Sequence, residues 1–135
     1  MAITGIKLRC PLALTKSIKV TSQAGWLGGR MIQQNDVVAV VVPPLGSSGG
    51  GTSAPSIATS SVCGAITYAP GIMLPCETAA TGSYTVGSKV YFDSGNLQVT
   101  ETASGNVLCG TVKEAPATGA TEVHVDFDGS LGIVS

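Results

Sequence analysis

The chain has 135 residues and a net charge of −1, and only 11% of its residues are charged, against about 25% in an ordinary globular protein. A chain of this length buries about two-thirds of the surface its unfolded form exposes, so one core holds it without a metal or a disulfide. The near-neutral balance excludes the basic field of a protein whose main partner is nucleic acid. The longest apolar run, 37–45, is broken by Pro43 and Pro44 and falls short of the about 20 residues of a membrane helix. Neither nucleic acid nor membrane is therefore an expected partner.

Trp26, Tyr68, Tyr84, Tyr91, Phe92 and Phe127 are the only aromatic residues, so the core must be mostly aliphatic. Gly, Ser, Thr and Val dominate the rest, a mix that favours strands and turns. The opening MAITGIKLRC has no apolar stretch ending in a small-residue cleavage site. A chain made and kept in a cytoplasm, unless it leaves inside a particle, is the expectation. Cys10, Cys63, Cys76 and Cys109 are widely spaced with no CxxC pair, which reads as buried free thiols in a reducing compartment.

No long window repeats apolar residues at helical spacing, whereas strand patterns recur. Residues 17–21 alternate, with Ile18 and Val20 on one face. Residues 36–42 form a continuous β-branched run, expected of a strand covered on both sides. Residues 43–61, PPLGSSGGGTSAPSIATSS, carry no charge. This is a long Gly/Ser/Pro-rich loop, read either as a flexible excursion or as an arm that orders against a neighbouring subunit. Residues 63–68 and 71–74 are two short strands, with Pro70-Gly71 as the turn between them. Residues 88–92 and 97–101 make a hairpin around 93–96, with Gly95 supplying positive φ and with Val90, Phe92, Leu97 and Val99 inward.

After a turn at 103–106 comes a strand over 106–113, in which Gly110 marks a bulge or a close approach. A Pro/Gly turn spans 115–120. Residues 121–127 then alternate, with Val123, Val125 and Phe127 inward and Glu122, His124 and Asp126 outward. Asp128-Gly129 turns the chain, and 131–134 form a last short strand. Short strands about ten residues apart predict an all-β fold, a small β-sandwich or β-barrel of mainly antiparallel strands. One β domain is expected over 1–135, with 43–61 as its loop or arm and 64–129 as its β core.

Catalytic chemistry is scarce. His124 is the only histidine, and it lies between Glu122 and Asp126 with no nucleophile or metal motif beside it. A structural or interface role is the reading, with pH sensing in assembly as a secondary hypothesis. There is no GxSxG elbow or SxxK motif. The glycines of GSSGGG lack the lysine and the helix of a phosphate loop. Asp126-Phe127-Asp128-Gly129 lacks the remainder of a calcium loop, and zinc would require distant thiols to converge. The expectation is no enzyme, no cofactor and no metal.

Charge is unevenly placed. Lys7, Arg9, Lys16, Lys19 and Arg30 are five of the seven bases, and all lie in the first thirty residues, which contain no acid. This segment is either an ordinary solvated strand pair or a region that docks on an acidic surface.

The segment 64–129 resembles the phage cement family, formerly a domain of unknown function among phage-head genes. The resemblance rests on GIMLP (71–75), VGSKVYFDSGNLQVT (86–100), NVLCGTVKEA (106–115) and TEVHVDFDG (121–129), in that order. The N-terminal half departs from the pattern in its long Gly/Ser/Pro stretch and its basic opening. The resemblance implies an all-β structural virion protein that binds the outer surface of an icosahedral head and stabilises the expanded lattice. It implies assembly in the host cytoplasm and a major capsid protein as partner. It carries over no catalytic residues. The symmetry of a shell favours a closed homo-oligomer, a trimer or else a dimer. The residues expected to make capsid or subunit contacts are Lys7, Arg9, Lys16, Lys19, Trp26, Arg30, Pro43, Pro44, Ser47, Ser48, Pro55 and Ile57. Competing readings are another virion component, such as a head-fibre or tail protein, and a small carbohydrate- or ligand-binding β module. The last would need exposed aromatic rings.

Overall fold

The computed structural model describes residues 7–10, 14–23, 26, 28–34, 37–42 and 62–131. Among the described residues there are nine strands and no α-helix: β1 (Lys7–Leu8), β2 (Lys16–Thr21), β3 (Met31–Gln34), β4 (Val37–Val42), β5 (Val62–Pro75), β6 (Lys89–Asp93), β7 (Gln98–Thr100), β8 (Val107–Glu114) and β9 (Glu122–Asp128). All named pairings are antiparallel. The sheet runs β3-β4-β5-β9-β8-β6-β7, with β1 and β2 also paired to β5. A parallel bridge between Cys76 and Val99 returns the chain end of β5 to β7. The sheet thus comes close to closing on itself, and of the two expected architectures the barrel is the one adopted.

β5 organises everything else. β2 and β4 both pair with its first half, and β1 and β9 both pair with its second half, so each pair occupies opposite edges. The Val38 N–H donates to the Gly129 carbonyl at 2.9 Å, which sets β4 end to end with β9 along one edge. β1 and β2 follow the other edge.

The core follows from strand alternation. Ile72 and Leu74 lie opposite Val125 and Val123. With Val90, Phe92, Val99, Cys109, Val112 and Phe127 they fill the barrel. A second, smaller cluster of Val20, Trp26, Ile32, Ala39, Val41, Cys63 and Ala65 lies on the other face of the β2-β5-β4-β3 part. β4 is therefore covered on both sides, as its unbroken run of β-branched residues predicts.

Three local expectations need correcting. Pro70-Gly71 makes no turn, since β5 runs through it as one strand of 14 residues. The register against β9 shifts between Ala69 and Ile72. A proline without an N–H is tolerated at such a bulge, and the bulge bends the strand where the outer layer meets the barrel. In the hairpin, the positive φ falls on Leu97 (53°), not on Gly95. Asp93 itself shapes that turn: its carboxylate accepts from the Gly95 N–H at 3.0 Å and the Asn96 amide at 2.8 Å. As a result β7 begins only at Gln98, and Leu97 packs at the margin of the core. Of the 131–134 strand, Leu131 is not in a strand and the remainder lies outside the described residues.

Two glycines are needed for close approach. A Cβ on Gly110 would come 2.4 Å from the Asp126 carbonyl oxygen, so the expected close approach at Gly110 is real. A Cβ on Gly129 would overlap the Val38 carbonyl oxygen at 1.6 Å.

Candidate docking surface

Four of the five basic residues of the first thirty, Lys7, Arg9, Lys16 and Lys19, are drawn out along one edge of β5. β1 sets Lys7 at the level of Met73. Just after it, Arg9 is exposed, and its N–H donates to the Gly71 carbonyl at 2.8 Å. β2 then sets Lys16 at Tyr68 and Lys19 at Gly64. From Met73 to Gly64 is about 30 Å of strand at about 3.3 Å per residue. Both lysines of β2 are exposed, and the Lys16 ammonium stands over the Tyr68 ring, 5.6 Å from its centroid.

β2 is exposed because its sequence gives it little to bury. Only Val20 packs into the outer cluster. Ile18, on the same face by alternation, remains 36% exposed at the margin. Beyond the end of β2, Lys19, Thr21, Gln23, Gln34 and the exposed Val62 line an open groove of about 550 Å³.

The other expected contact residues are placed differently. Trp26 is buried, 6% exposed, in the outer cluster, so its ring lies beneath this surface and not on it. Arg30 is half-buried; its carbonyl accepts from the Val41 N–H at 2.9 Å, and its Nε is buried without a hydrogen-bond partner among the described residues. Pro43, Pro44, Ser47, Ser48, Pro55 and Ile57 lie outside the described residues. One base was missed. Lys113 of β8 reaches over β9, and its ammonium donates to the Pro70 carbonyl at the bulge, beside the residue that holds Arg9. Nothing local in the sequence marks it, because the contact spans 43 residues.

Several other ionisable groups are engaged within the structure. At the foot of the barrel a cleft of about 220 Å³ is lined by Glu77, Tyr84, Thr100 and Glu101. There Thr100 donates its hydroxyl to Glu77, and the Tyr84 N–H donates to Glu101 at 3.0 Å. The Tyr84 hydroxyl donates to the Val99 carbonyl at 3.2 Å, and burial pushes its pKa up to about 12. Burial likewise raises Cys63, lifts Cys76 to about 11 and lifts Cys109 to about 12. Burial of this kind favours the protonated thiol over the nucleophilic thiolate. His124 is half-buried, not standing free on a polar face: its Nε2 is buried without a hydrogen-bond partner among the described residues, against Gly71. Among the described residues no three His, Cys, Asp or Glu side chains converge as a metal site. Trp26, Tyr84, Phe92 and Phe127 are buried, while Tyr68 and Tyr91 are half-buried. Among the described residues no aromatic ring is fully exposed.

A family model described as phage cement protein matches residues 13–127. The match reaches well beyond the C-terminal resemblance. It takes in β2 and its two lysines, the 43–61 segment and nearly all of β9. Comparison with curated proteins and with solved structures gave no match.

Proposed function

This chain belongs to the phage cement protein family, and from that premise we propose that it binds the outer surface of an icosahedral head and stabilises the expanded lattice. Membership makes it a structural component of the virion that binds the capsid. The observation that carries the finer reading is the basic row on β1 and β2, drawn from a segment without acid and set along the outside of an otherwise acidic molecule.

The mechanism is thermodynamic. A protein that binds the expanded lattice and not its precursor stabilises the expanded state by mass action. Contacts across several capsomers add through avidity. Arg9, Lys16 and Lys19 orient the docking. Lys7 and Arg30 complete the contact region, Trp26 supports it from beneath, and the uncharged 43–61 segment, assigned on composition, meets a neighbouring subunit. A closed homo-oligomer, a trimer rather than a dimer, fits a local symmetry axis of a shell. No catalytic step is involved.

The test is to mix the purified protein with expanded heads assembled without it. Saturable binding at a fixed number of copies per head, with a raised disruption temperature, is expected. A protein that binds no head form, or binds without raising that temperature, overturns the reading.

A further inference from the structure

Among the described residues β2 pairs only with β5. In an edge strand every second residue turns its N–H and C=O away from its partner, so six residues present about three unpaired sets of backbone groups. Several devices that natural proteins use to blunt such an edge are missing here. β2 contains no proline, its register from Ser17 to Thr21 is regular, and the one irregularity falls between Lys16 and Ser17. What the edge does carry is lysine.

We propose that the β2 edge is a strand-addition site, and that its occupant is an extended acidic segment of the head's shell subunit. This rests on the reading of the chain as a cement protein and names how that contact is made. Charge selects the occupant. If β2 of one copy paired antiparallel with β2 of a second copy, full overlap would set Lys16 opposite Thr21 and Lys19 opposite Ile18, and the register offset by two residues would set Lys16 of each opposite Lys19 of the other, where like charges disfavour the pair. Lysines on an exposed edge also weigh against its pairing with a second copy of the same positive strand. An acidic strand reverses the sign of the same contacts. Lys16 and Lys19 are three residues apart, so by alternation they stand on opposite faces of β2. The complementary segment carries carboxylates about three residues apart, one for each face. Main-chain hydrogen bonds hold it, and the lysines choose it.

Amide hydrogen exchange on the full-length protein, free and bound to expanded heads assembled without it, tests the site. The expected result is that about half of the β2 amides exchange fast in the free protein and become protected on the head. Lys16→Glu/Lys19→Glu is expected to weaken head binding at least tenfold, with exchange in β8 and β9 unchanged. Saturable head binding with β2 amides still fast overturns strand addition and leaves the cement reading intact. Absence of head binding by the wild-type protein overturns the cement reading itself. Concentration-dependent protection of β2 in the free protein means that a second copy fills the edge, and it overturns the acidic occupant. So does full-affinity binding by the double variant.

Discussion

The barrel and the outer layer share one strand and differ in almost everything else. The barrel half, from the second half of β5 through β9, has its strands joined around by the Cys76–Val99 bridge and is filled by Phe92, Phe127 and a ring of valines. The outer layer, β2 to β4 on the first half of β5, has a core of seven residues with one large ring, Trp26. It leaves β2 without a second partner among the described residues. Residues 62–131 hold seven of the eight acids, while the first thirty hold five of the seven bases. A closed barrel removes the edges on which strands recruit partners. Docking by backbone is therefore available only where closure stops. On the proposed reading, persistence and attachment fall to different halves of one sheet.

The sharpest way to break this picture is at the joint. Gly129 sits where β9 meets β4: its N–H donates to the Thr67 carbonyl at 2.7 Å and its carbonyl accepts from Val38 at 2.9 Å. Its φ is not the issue; space is. Gly129→Ala places a methyl on the Val38 carbonyl oxygen, so β4 must leave β9 or the chain must refold around it. Overpacking commonly costs about 1–3 kcal/mol; a full atomic overlap against backbone belongs beyond that range, at about 4 kcal/mol or more. Urea unfolding measures it. A variant with a wild-type midpoint would show that the two halves do not meet there.

Trp26→Ala comes next, with an expected cost of about 3 kcal/mol. The loss should be local. Exchange should quicken in β2, β3 and the first half of β5, while β8 and β9 amides keep their protection. Equal loss of protection in both halves would instead make the molecule one cooperative unit and dissolve the comparison.

The two halves were also unequally legible. The barrel strands follow from period-two alternation, because each has one face inside: Val123, Val125 and Phe127 point inward as their spacing predicts. β4 is readable for the opposite reason, an unbroken β-branched run being the mark of a strand buried on both faces. Pro70-Gly71 misleads because the same two residues suit a turn and a bulge. The choice rests with β9, which pairs on both sides of the irregularity. The αL position at Leu97 is hidden because Asp93, reaching forward to Gly95 and Asn96, decides the turn that Gly95 seemed to announce. For docking, the charge asymmetry pointed to Arg9, Lys16 and Lys19, which are exposed. Burial of Trp26 could not be read from composition, since an interface anchor and a core ring have the same sequence signature. Lys113 joins the corner through a long-range contact that no local pattern encodes.

The smallest expected effect separates the halves by their thiols. Cys109 is buried in the barrel, where its Sγ donates to the Val90 carbonyl at 3.7 Å and burial raises its pKa from 9.0 to about 12. A raised pKa means that the folded state holds the proton more tightly than the unfolded chain does. The stability tied to the neutral thiol is therefore fully present below about pH 9, and it is lost as pH rises from there through about 12. Cys76, raised to about 11, contributes in the same direction over a narrower window. Cys109→Ala removes the titrating group along with its packing. At pH 7 the variant should be less stable than wild type by about 1 kcal/mol. That deficit should shrink as pH climbs above 9, because only the wild type has the proton to lose. Denaturant unfolding at stepped pH under a non-thiol reductant measures the convergence. A deficit that stays constant to pH 11 would mean that water reaches the Cys109 sulfur, and that the barrel is no better sealed than the layer outside it.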